Sequence, residues 1–158
     1  MRIANKFSWG PIIEVAVVFL GIFTTMIPAM TYLKANASNL GLSETWQFYY
    51  CTGALSSFLD NAPTAVAFHS LAGGLSPEVL AKFGETMVAG IPELLLKAIS
   101  IGSVFFGAMT YIGNGPNFMV KSIAEENGIK MPSFFGYMFK FSLIILLPIY
   151  ILVQLIFL

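Results

Sequence analysis

Long apolar runs separated by short polar stretches dominate this chain. The first run, residues 11–33, and the last, residues 134–158, are each longer than the roughly 20 residues that a helix needs to cross a bilayer. A third long run, residues 91–112, predicts another full-length helix, which a polar motif interrupts before it continues to residue 124. The pattern therefore predicts three spanning helices, at residues 11–33, 91–124 and 134–158.

Two further apolar runs are too short to cross. Residues 46–59 would form a helix of about 21 Å, against a hydrocarbon core of about 30 Å, and residues 65–75 are shorter still. The polar segment DNAPT, residues 60–64, lies between them. Two short helices around a polar tip predict a re-entrant hairpin over residues 46–75. Two tilted full spans, lengthened by residues 40–45 and 76–80, fit the same pattern.

Composition and charge agree with a membrane location. Hydrophobic residues make up 57% of the chain and charged residues 10%, whereas soluble domains carry about 25% charged residues. The net charge is zero, so nothing indicates a nucleic-acid partner. The basic residues divide between the two predicted sides, with Arg2, Lys6, Lys121 and Lys130 on one and Lys34 and Lys82 on the other. The positive-inside rule then places the N-terminus in the cytoplasm, and we expect a multi-pass protein of the inner (cytoplasmic) membrane, embedded in the lipid bilayer.

A short motif occurs twice, as Asn61-x-Pro63-Thr64 and as Asn114-x-Pro116-Asn117. Proline lacks an N–H group and disfavours helix in the preceding residue, so each motif should end one helix and begin another. Inside a bilayer, unpaired backbone groups persist only within protein or beside a water-filled cavity. Helix C-termini offer carbonyl groups to cations and helix N-termini offer N–H groups to anions. The two motifs therefore predict an ion- or substrate-binding site.

Small or polar residues follow one face of the helix before each motif. They are Gly53, Ser57 and Asp60 in the first helix, and Ser103, Gly107, Thr110 and Asn114 in the second. Small residues let membrane helices approach closely, so we expect the two motifs to meet. The predicted binding residues are Ser57, Asp60, Asn61, Pro63, Thr64, Thr110, Asn114, Gly115, Pro116 and Asn117.

Asp60 is the only aspartate in the chain. A carboxylate within a membrane segment is costly and marks a functional site. Asp60 could bind sodium through oxygen, together with Asn61 and Asn114, or carry a proton; as an alternative, it caps the following helix in a solvent-exposed loop. Glu14 and His69 are candidates for a coupling path, with a surface or packing role as the alternative for each.

Other polar residues point to no further chemistry. No cluster has the spacing of a metal or nucleophile site, so we expect no enzyme and no cofactor beyond sodium ions and protons that are transported or coupled. Glu93 and Lys97, four residues apart, predict an ion pair within a helix. A charged loop is predicted to follow residue 124, with Lys121, Glu125, Glu126 and Lys130 in or next to it.

Three segments resemble one family of carriers. They are SSFLDNAPTAVAF at residues 56–68, GAMTYIGNGPNFMVKSIAEENGIKMPSFFGYM at residues 107–138, and WGPIIEVAVVFLGIFTTMIPA at residues 9–29. Together they resemble the citrate-transporter-like and NhaD-type sodium:proton antiporter group of the ion transporter superfamily. The resemblance implies an all-α integral membrane fold and one repeat of an inverted-repeat transporter, in which each half holds a re-entrant hairpin and a helix broken at mid-membrane.

The resemblance also implies partners and a function. Residues 1–158 are expected to form a single transmembrane domain, the C-terminal half of a longer transporter whose N-terminal half is the missing partner; a homodimer is compatible with it. Dicarboxylate symporters of the superfamily carry Ser-Asn-Thr tips, whereas the acidic tip at residues 60–64 is closer to the sodium:proton group. The predicted function is sodium:proton antiport of a small cation. The alternatives are sodium- or proton-coupled transport of citrate or a dicarboxylate, and an inactive fragment or membrane scaffold.

Overall fold

The computed structural model describes residues 9–158, without the side chains of residues 10–12, 14, 15 and 118. Its helices are α1 (Gly10–Ala35), α2 (Thr45–Ser56), α3 (Asn61–Ala72), α4 (Pro77–Ala81), α5 (Glu93–Phe106), α6 (Gly115–Glu126), α7 (Phe134–Tyr137) and α8 (Leu147–Phe157). A 3-10 turn at Ala37–Leu40 follows α1, and the π-helical segment Met138–Leu146 joins α7 to α8. Strands β1 (Met87–Val88) and β2 (Ile91–Pro92) pair antiparallel. Apart from this strand pair, the described residues confirm the helical fold class.

Two of the described helices are long and apolar enough to cross a membrane. They cover Ala16–Ala35 in α1 and Phe134–Phe157 in the terminal helix, which comprises α7, the π-helical segment and α8. None of the α1 window is buried and only 11% of the terminal window is buried. Leu20, Ile144 and Leu155, for example, are each at least 67% exposed. Apolar faces of this extent suit lipid or a protein partner.

Helices α2 and α3 form a hairpin. Each has 12 residues and is therefore about 18 Å long, well short of a hydrocarbon core of about 30 Å. A reciprocal capping box between Glu44 and Gln47 begins α2, and α3 begins directly after Asp60. The end of the hairpin opposite its tip, which we call the outer end, lies against the end of α1. There the Lys34 carbonyl is so close to Gly74 that no Cβ would fit on this glycine. The chain therefore enters and leaves the hairpin at the end of the molecule where α1 ends.

The predicted full-length helix over residues 91–112 is wrong. Helix α5 ends at Phe106 after 14 residues, residues 107–114 are not helical, and α6 begins at Gly115. The helix ends early because side chains take the carbonyl groups that a continuing helix would use. The Ser57 hydroxyl donates to the Phe106 carbonyl, and the Asn117 amide donates to the Gly107 carbonyl. We call residues 107–114 the break; most of the second proline motif lies beyond it, in the first turn of α6.

The core forms where α2 packs against α5, with α3 lying between α1 and α5. Gly53 lies against the ring of Phe106, and a Cβ on Gly102 would lie 2.6 Å from the Tyr49 carbonyl oxygen. Small residues thus allow the close approach of the two helices. The expected ion pair between Glu93 and Lys97 is confirmed, at 2.8 Å.

The terminal helix runs alongside this core. The Tyr49 hydroxyl donates to the Tyr150 carbonyl at 3.0 Å, and the Tyr150 hydroxyl donates to the Phe105 carbonyl at 2.6 Å. At the other end of the same helix, Phe134 packs against Phe58, with ring centroids 6.5 Å apart. The terminal helix therefore contacts both the hairpin tip and the outer part of the hairpin.

Candidate functional site

The side-chain amide of Asn61 joins the hairpin tip to the break. Its nitrogen lies 3.0 Å from the Ser103 carbonyl oxygen, 3.2 Å from the Gly113 carbonyl oxygen and 2.8 Å from the Ser56 hydroxyl oxygen. This orientation of the amide follows from its neighbours, because only the nitrogen can donate to carbonyl groups. Gly107 lies so close to the same amide that a side chain there would overlap it. One hairpin residue thus contacts both the last helical turn before the break and the end of the break.

Buried hydroxyl groups extend this junction in both directions. Ser57 donates to the Phe106 carbonyl at 3.2 Å, and Thr110 donates in return to the Ser57 carbonyl. The Thr110 oxygen also accepts from the Gly113 N–H at 3.0 Å. Ser57 and Thr110 are 6% and 2% exposed, so these bonds form out of contact with water. We call the network around Asn61, Ser57 and Thr110 the junction.

Side chains from several elements satisfy the unwound backbone. The acceptors and donors are Gly107 with Asn117, Ala108 with Tyr137, Met109 with Ser142, and Gly113 with Asn61. A buried backbone carbonyl without a donor is costly, so these four pairs hold the break in place. Among the described residues, the carbonyl groups of residues 110–112 accept no hydrogen bond.

Asp60 lies at the tip but outside the junction. It occupies the position before α3, yet its side chain makes no capping hydrogen bond, and its carbonyl accepts from the Thr64 hydroxyl at 2.9 Å. The carboxylate is exposed and borders a cleft of about 330 Å³ whose other lining residues are mainly apolar: Ile22, Met26, Leu55, Leu59, Pro63, Thr64 and Ala67. Among the described residues, Asp60 is therefore the one acidic group that lines this mainly apolar cleft between α1 and the hairpin.

The structure brings only part of the predicted set together. Four predicted residues share the junction or the break contacts: Ser57, Asn61, Thr110 and Asn117. Thr64 is buried nearby and bonds to the Asp60 carbonyl. Asn114 is the residue before α6, while Gly115 and Pro116 are exposed in its first turn. Sodium binding by Asp60, Asn61 and Asn114 stays a prediction; within the described residues, no cluster of three or more His, Cys, Asp or Glu residues could hold a metal ion.

Of the two coupling candidates, His69 lies apart from the junction. His69 belongs to the last turn of α3, where its Nε2 lies 3.0 Å from the carbonyl oxygen of Ala89. Ala89 and Gly90 both have positive φ angles, as the tight turn between β1 and β2 requires. His69 thus ties the outer end of the hairpin to the strand pair. The side chain of Glu14 lies outside the described residues.

Lys121 lies in α6, close to the break. The sequence predicts instead that it lies in or next to a charged loop. Its ammonium nitrogen lies 5.1 Å from the centroid of the Tyr111 ring and within 2.8 Å of both carboxylate oxygens of Glu125. Its side chain is 17% exposed, compared with 45% for Glu125. The spacing of four residues, which also marks Glu93 and Lys97, is the signal that could have placed this pair on a helix.

A protein-family model described as "Putative citrate transport" matches residues 1–158. The chain belongs to this family. Membership supports a membrane location and a transport role, agrees with the resemblance to citrate-transporter-like proteins, and favours a chain that is not an enzyme. The match does not extend to sodium:proton antiport. No curated protein and no solved structure matches the chain.

Proposed function

We propose that this chain is part of a secondary carrier that moves citrate or a related carboxylate together with a cation. The substrate site is the junction between the hairpin tip, residues 57–64, and the break with the first turn of α6, residues 107–117. The single observation that carries the proposal is the contact of Asn61 with the Ser103 and Gly113 carbonyl groups. The family description supports the choice of citrate over a simple cation.

The backbone at this site offers groups of both signs. Helices α3 and α6 begin at Asn61 and Gly115, and the free N–H groups of a helix N-terminus favour a carboxylate. The carbonyl groups of residues 110–112 accept no hydrogen bond within the described residues, and carbonyl oxygens are ligands for sodium. One site can thus hold an anion and the cation that accompanies it.

The arrangement in the membrane follows from helix length. Because α2 and α3 are about 18 Å long, we infer that the hairpin is re-entrant and ends inside the bilayer. Alternating access in carriers built from inverted repeats needs two halves. We therefore infer that this chain works with an N-terminal half, and that exposed apolar residues of α1 and the terminal helix face that half or lipid. A homodimer is the other arrangement that would supply a second half.

A second candidate function is sodium:proton antiport, and Asp60 favours it. The carboxylate is exposed at the tip and forms no ion pair within the described residues, so it is free to exchange a proton for a metal cation. Under this proposal, Asp60→Asn abolishes sodium-dependent proton movement while expression persists, because an amide neither titrates nor carries charge.

One vesicle experiment separates the two functions. The protein, with any partner that copurifies, is reconstituted into proteoliposomes; uptake of labelled citrate and internal pH are then recorded under sodium and proton gradients. Carboxylate transport predicts gradient-driven citrate uptake that Asn61→Ala abolishes, with no sodium-driven pH change when carboxylate is absent. A sodium-driven pH change without carboxylate, lost in Asp60→Asn, would establish antiport instead. Neither signal in the wild type would leave the scaffold alternative.

A further inference from the structure

We propose that Lys121 is a specificity-determining residue of this carrier. Its ammonium group binds a carboxylate group of the arriving substrate, which replaces the carboxylate of Glu125 as its partner. The proposal rests on the carboxylate transport proposed above and identifies the side chain that binds a negatively charged group of the substrate. It starts from the position of Lys121 beside the break, over the ring of Tyr111.

An aromatic surface connects Lys121 to the hairpin tip. The ring of Tyr111 lies 5.6 Å from that of Phe134 and 5.9 Å from that of Tyr137, and Phe134 lies 6.5 Å from Phe58, which belongs to the tip. We call these four rings the aromatic wall. Tyr137 also donates to the Ala108 carbonyl within the break. Ring contacts therefore link Lys121 to the hairpin tip through Tyr111 and Phe134.

The charge balance of Lys121 makes an exchange possible. Its side chain is 17% exposed, and a partly buried ammonium group is stabilised by a negative partner. In the structure, Glu125 is that partner, through both carboxylate oxygens at 2.7 and 2.8 Å. Glu125 itself is 45% exposed, and partly exposed ion pairs add little stability. A substrate carboxylate can replace it without leaving Lys121 unpaired.

A second lysine of the chain provides a matched control. Lys97 pairs with Glu93 over the same spacing of four residues and at 2.8 Å, but both side chains are exposed, at 55% and 44%. It lies on α5, which runs from Glu93 to Phe106, within its first two turns and away from the break. Among the described residues, Lys97 lies over no aromatic ring. Removing its charge should alter the pair but not the proposed substrate path.

The test measures uptake of citrate and succinate by proteoliposomes that contain the protein with any copurifying partner. Lys121→Gln should raise the KM for citrate about tenfold, as expected for loss of a charge-assisted hydrogen bond, with a smaller rise for the less charged succinate and little change in kcat. Lys121→Arg should keep the KM for citrate near the wild-type value. Glu125→Gln should lower the KM for citrate about two- to fivefold, because the competing carboxylate of the ion pair is gone. Lys97→Gln should leave both KM values unchanged.

The outcomes separate this proposal from the one on which it rests. Citrate uptake by the wild type with the same KM values in Lys121→Gln and Lys97→Gln overturns the role of Lys121 alone. No carboxylate uptake by the wild type overturns the proposed function, and this role with it. If Lys121→Gln does not fold, Glu125→Gln decides, because an unchanged or raised KM for citrate in that variant contradicts the exchange of partners.

Discussion

Two glycines near the second proline motif lie two residues apart and differ in the space around them. A Cβ on Gly113 would lie 2.6 and 2.7 Å from the carbonyl oxygens of Ser57 and Ser56, whereas nothing lies within 4 Å of one on Gly115. The crowded atoms at Gly113 belong to the backbone of the hairpin tip and cannot rotate away. Contact between tip and break therefore depends on the absence of a side chain at this one position.

This difference gives a prediction with an internal control. Gly113→Ala should destabilise the folded protein by about 1–3 kcal/mol, the usual cost of overpacking, and should reduce transport. Gly115→Ala, in the first turn of α6, should raise stability by up to about 1 kcal/mol through the lower entropy of the unfolded chain. Thermal unfolding in detergent measures both variants. Equal melting temperatures would mean that the tip and the break are not packed as described.

Asn61 allows a sharper test, because two substitutions remove the same donor in different ways. Asn61→Ala leaves the Ser103 and Gly113 carbonyl groups without this donor and should cost about 1–3 kcal/mol. Asn61→Asp, with an ionised carboxylate, keeps the shape but points negative oxygens at those carbonyls, so it should melt at a lower temperature than Asn61→Ala. If Asn61→Asp is as stable as the wild type, the amide nitrogen is not the group that faces the carbonyls.

Among the elements, the two helices of the hairpin could largely be predicted from local sequence, whereas the break could not. The hairpin was expected at residues 46–75, and α2 and α3 cover Thr45–Ser56 and Asn61–Ala72, because proline and glycine signals act on their immediate neighbours. The start of the break depends on donors distant in sequence, since Ser57 lies 49 residues before its acceptor Phe106 and Ser142 lies 33 residues after its acceptor Met109. Apolar pattern alone therefore extends α5 to residue 112.

The same reasoning explains which site residues could be predicted. Asn61 and Asn117 belong to a repeated motif and are visible in the sequence, whereas Tyr137 and Ser142 reach the break only through the register of the terminal helix. Lys121 was expected in or next to a charged loop after residue 124, because Glu125, Glu126 and Lys130 follow it closely in the sequence. Its position over the ring of Tyr111 depends on the path of the chain between residues 111 and 121, which the apolar pattern does not show.

A prediction at the scale of the hairpin concerns its depth. Single cysteines at positions 57–64, in a Cys51→Ala background because Cys51 is exposed, should react with small impermeant reagents at the exposed positions and resist bulky ones. Cysteines at the outer end, such as Ser76→Cys, should react with both. Free labelling of positions 60–64 by bulky reagents from the cytoplasmic side would mean that the tip is an ordinary loop between two tilted spans.

At the scale of the whole molecule, contacts place several loops at one end. The end of α1 meets the end of the hairpin where Lys34 lies against Gly74, so the turn after α1 and the region around α4 share that end. The terminal helix runs from Phe134, beside the tip, to Tyr150, beside Tyr49. Its C-terminal half therefore points toward the same end. The end shared by α1 and the α4 region agrees with the charge pattern, which groups Lys34 with Lys82.

The last prediction follows from this arrangement and tests the number of membrane crossings. In the Cys51→Ala background, the exposed positions Ser38, Lys82 and Lys130 are changed singly to cysteine and labelled in right-side-out and inside-out vesicles. Ser38→Cys and Lys82→Cys should react from the outer side, because the hairpin returns to the end where α1 finishes. Lys130→Cys should react from the cytoplasmic side, because the span predicted over residues 91–124 would carry the chain across the bilayer once and the positive-inside rule favours basic loops there.

Each contrary result would remove a specific part of the arrangement. Labelling of Ser38→Cys and Lys82→Cys from opposite sides would mean that α2 and α3 together cross the bilayer an odd number of times, which a hairpin cannot do. Labelling of all three positions from one side would mean that α5 and α6 also form a re-entrant pair, so that the break would be a second tip. In that case the junction would lie between two hairpins, and the carbonyl groups of residues 110–112 would face the same compartment as Asp60.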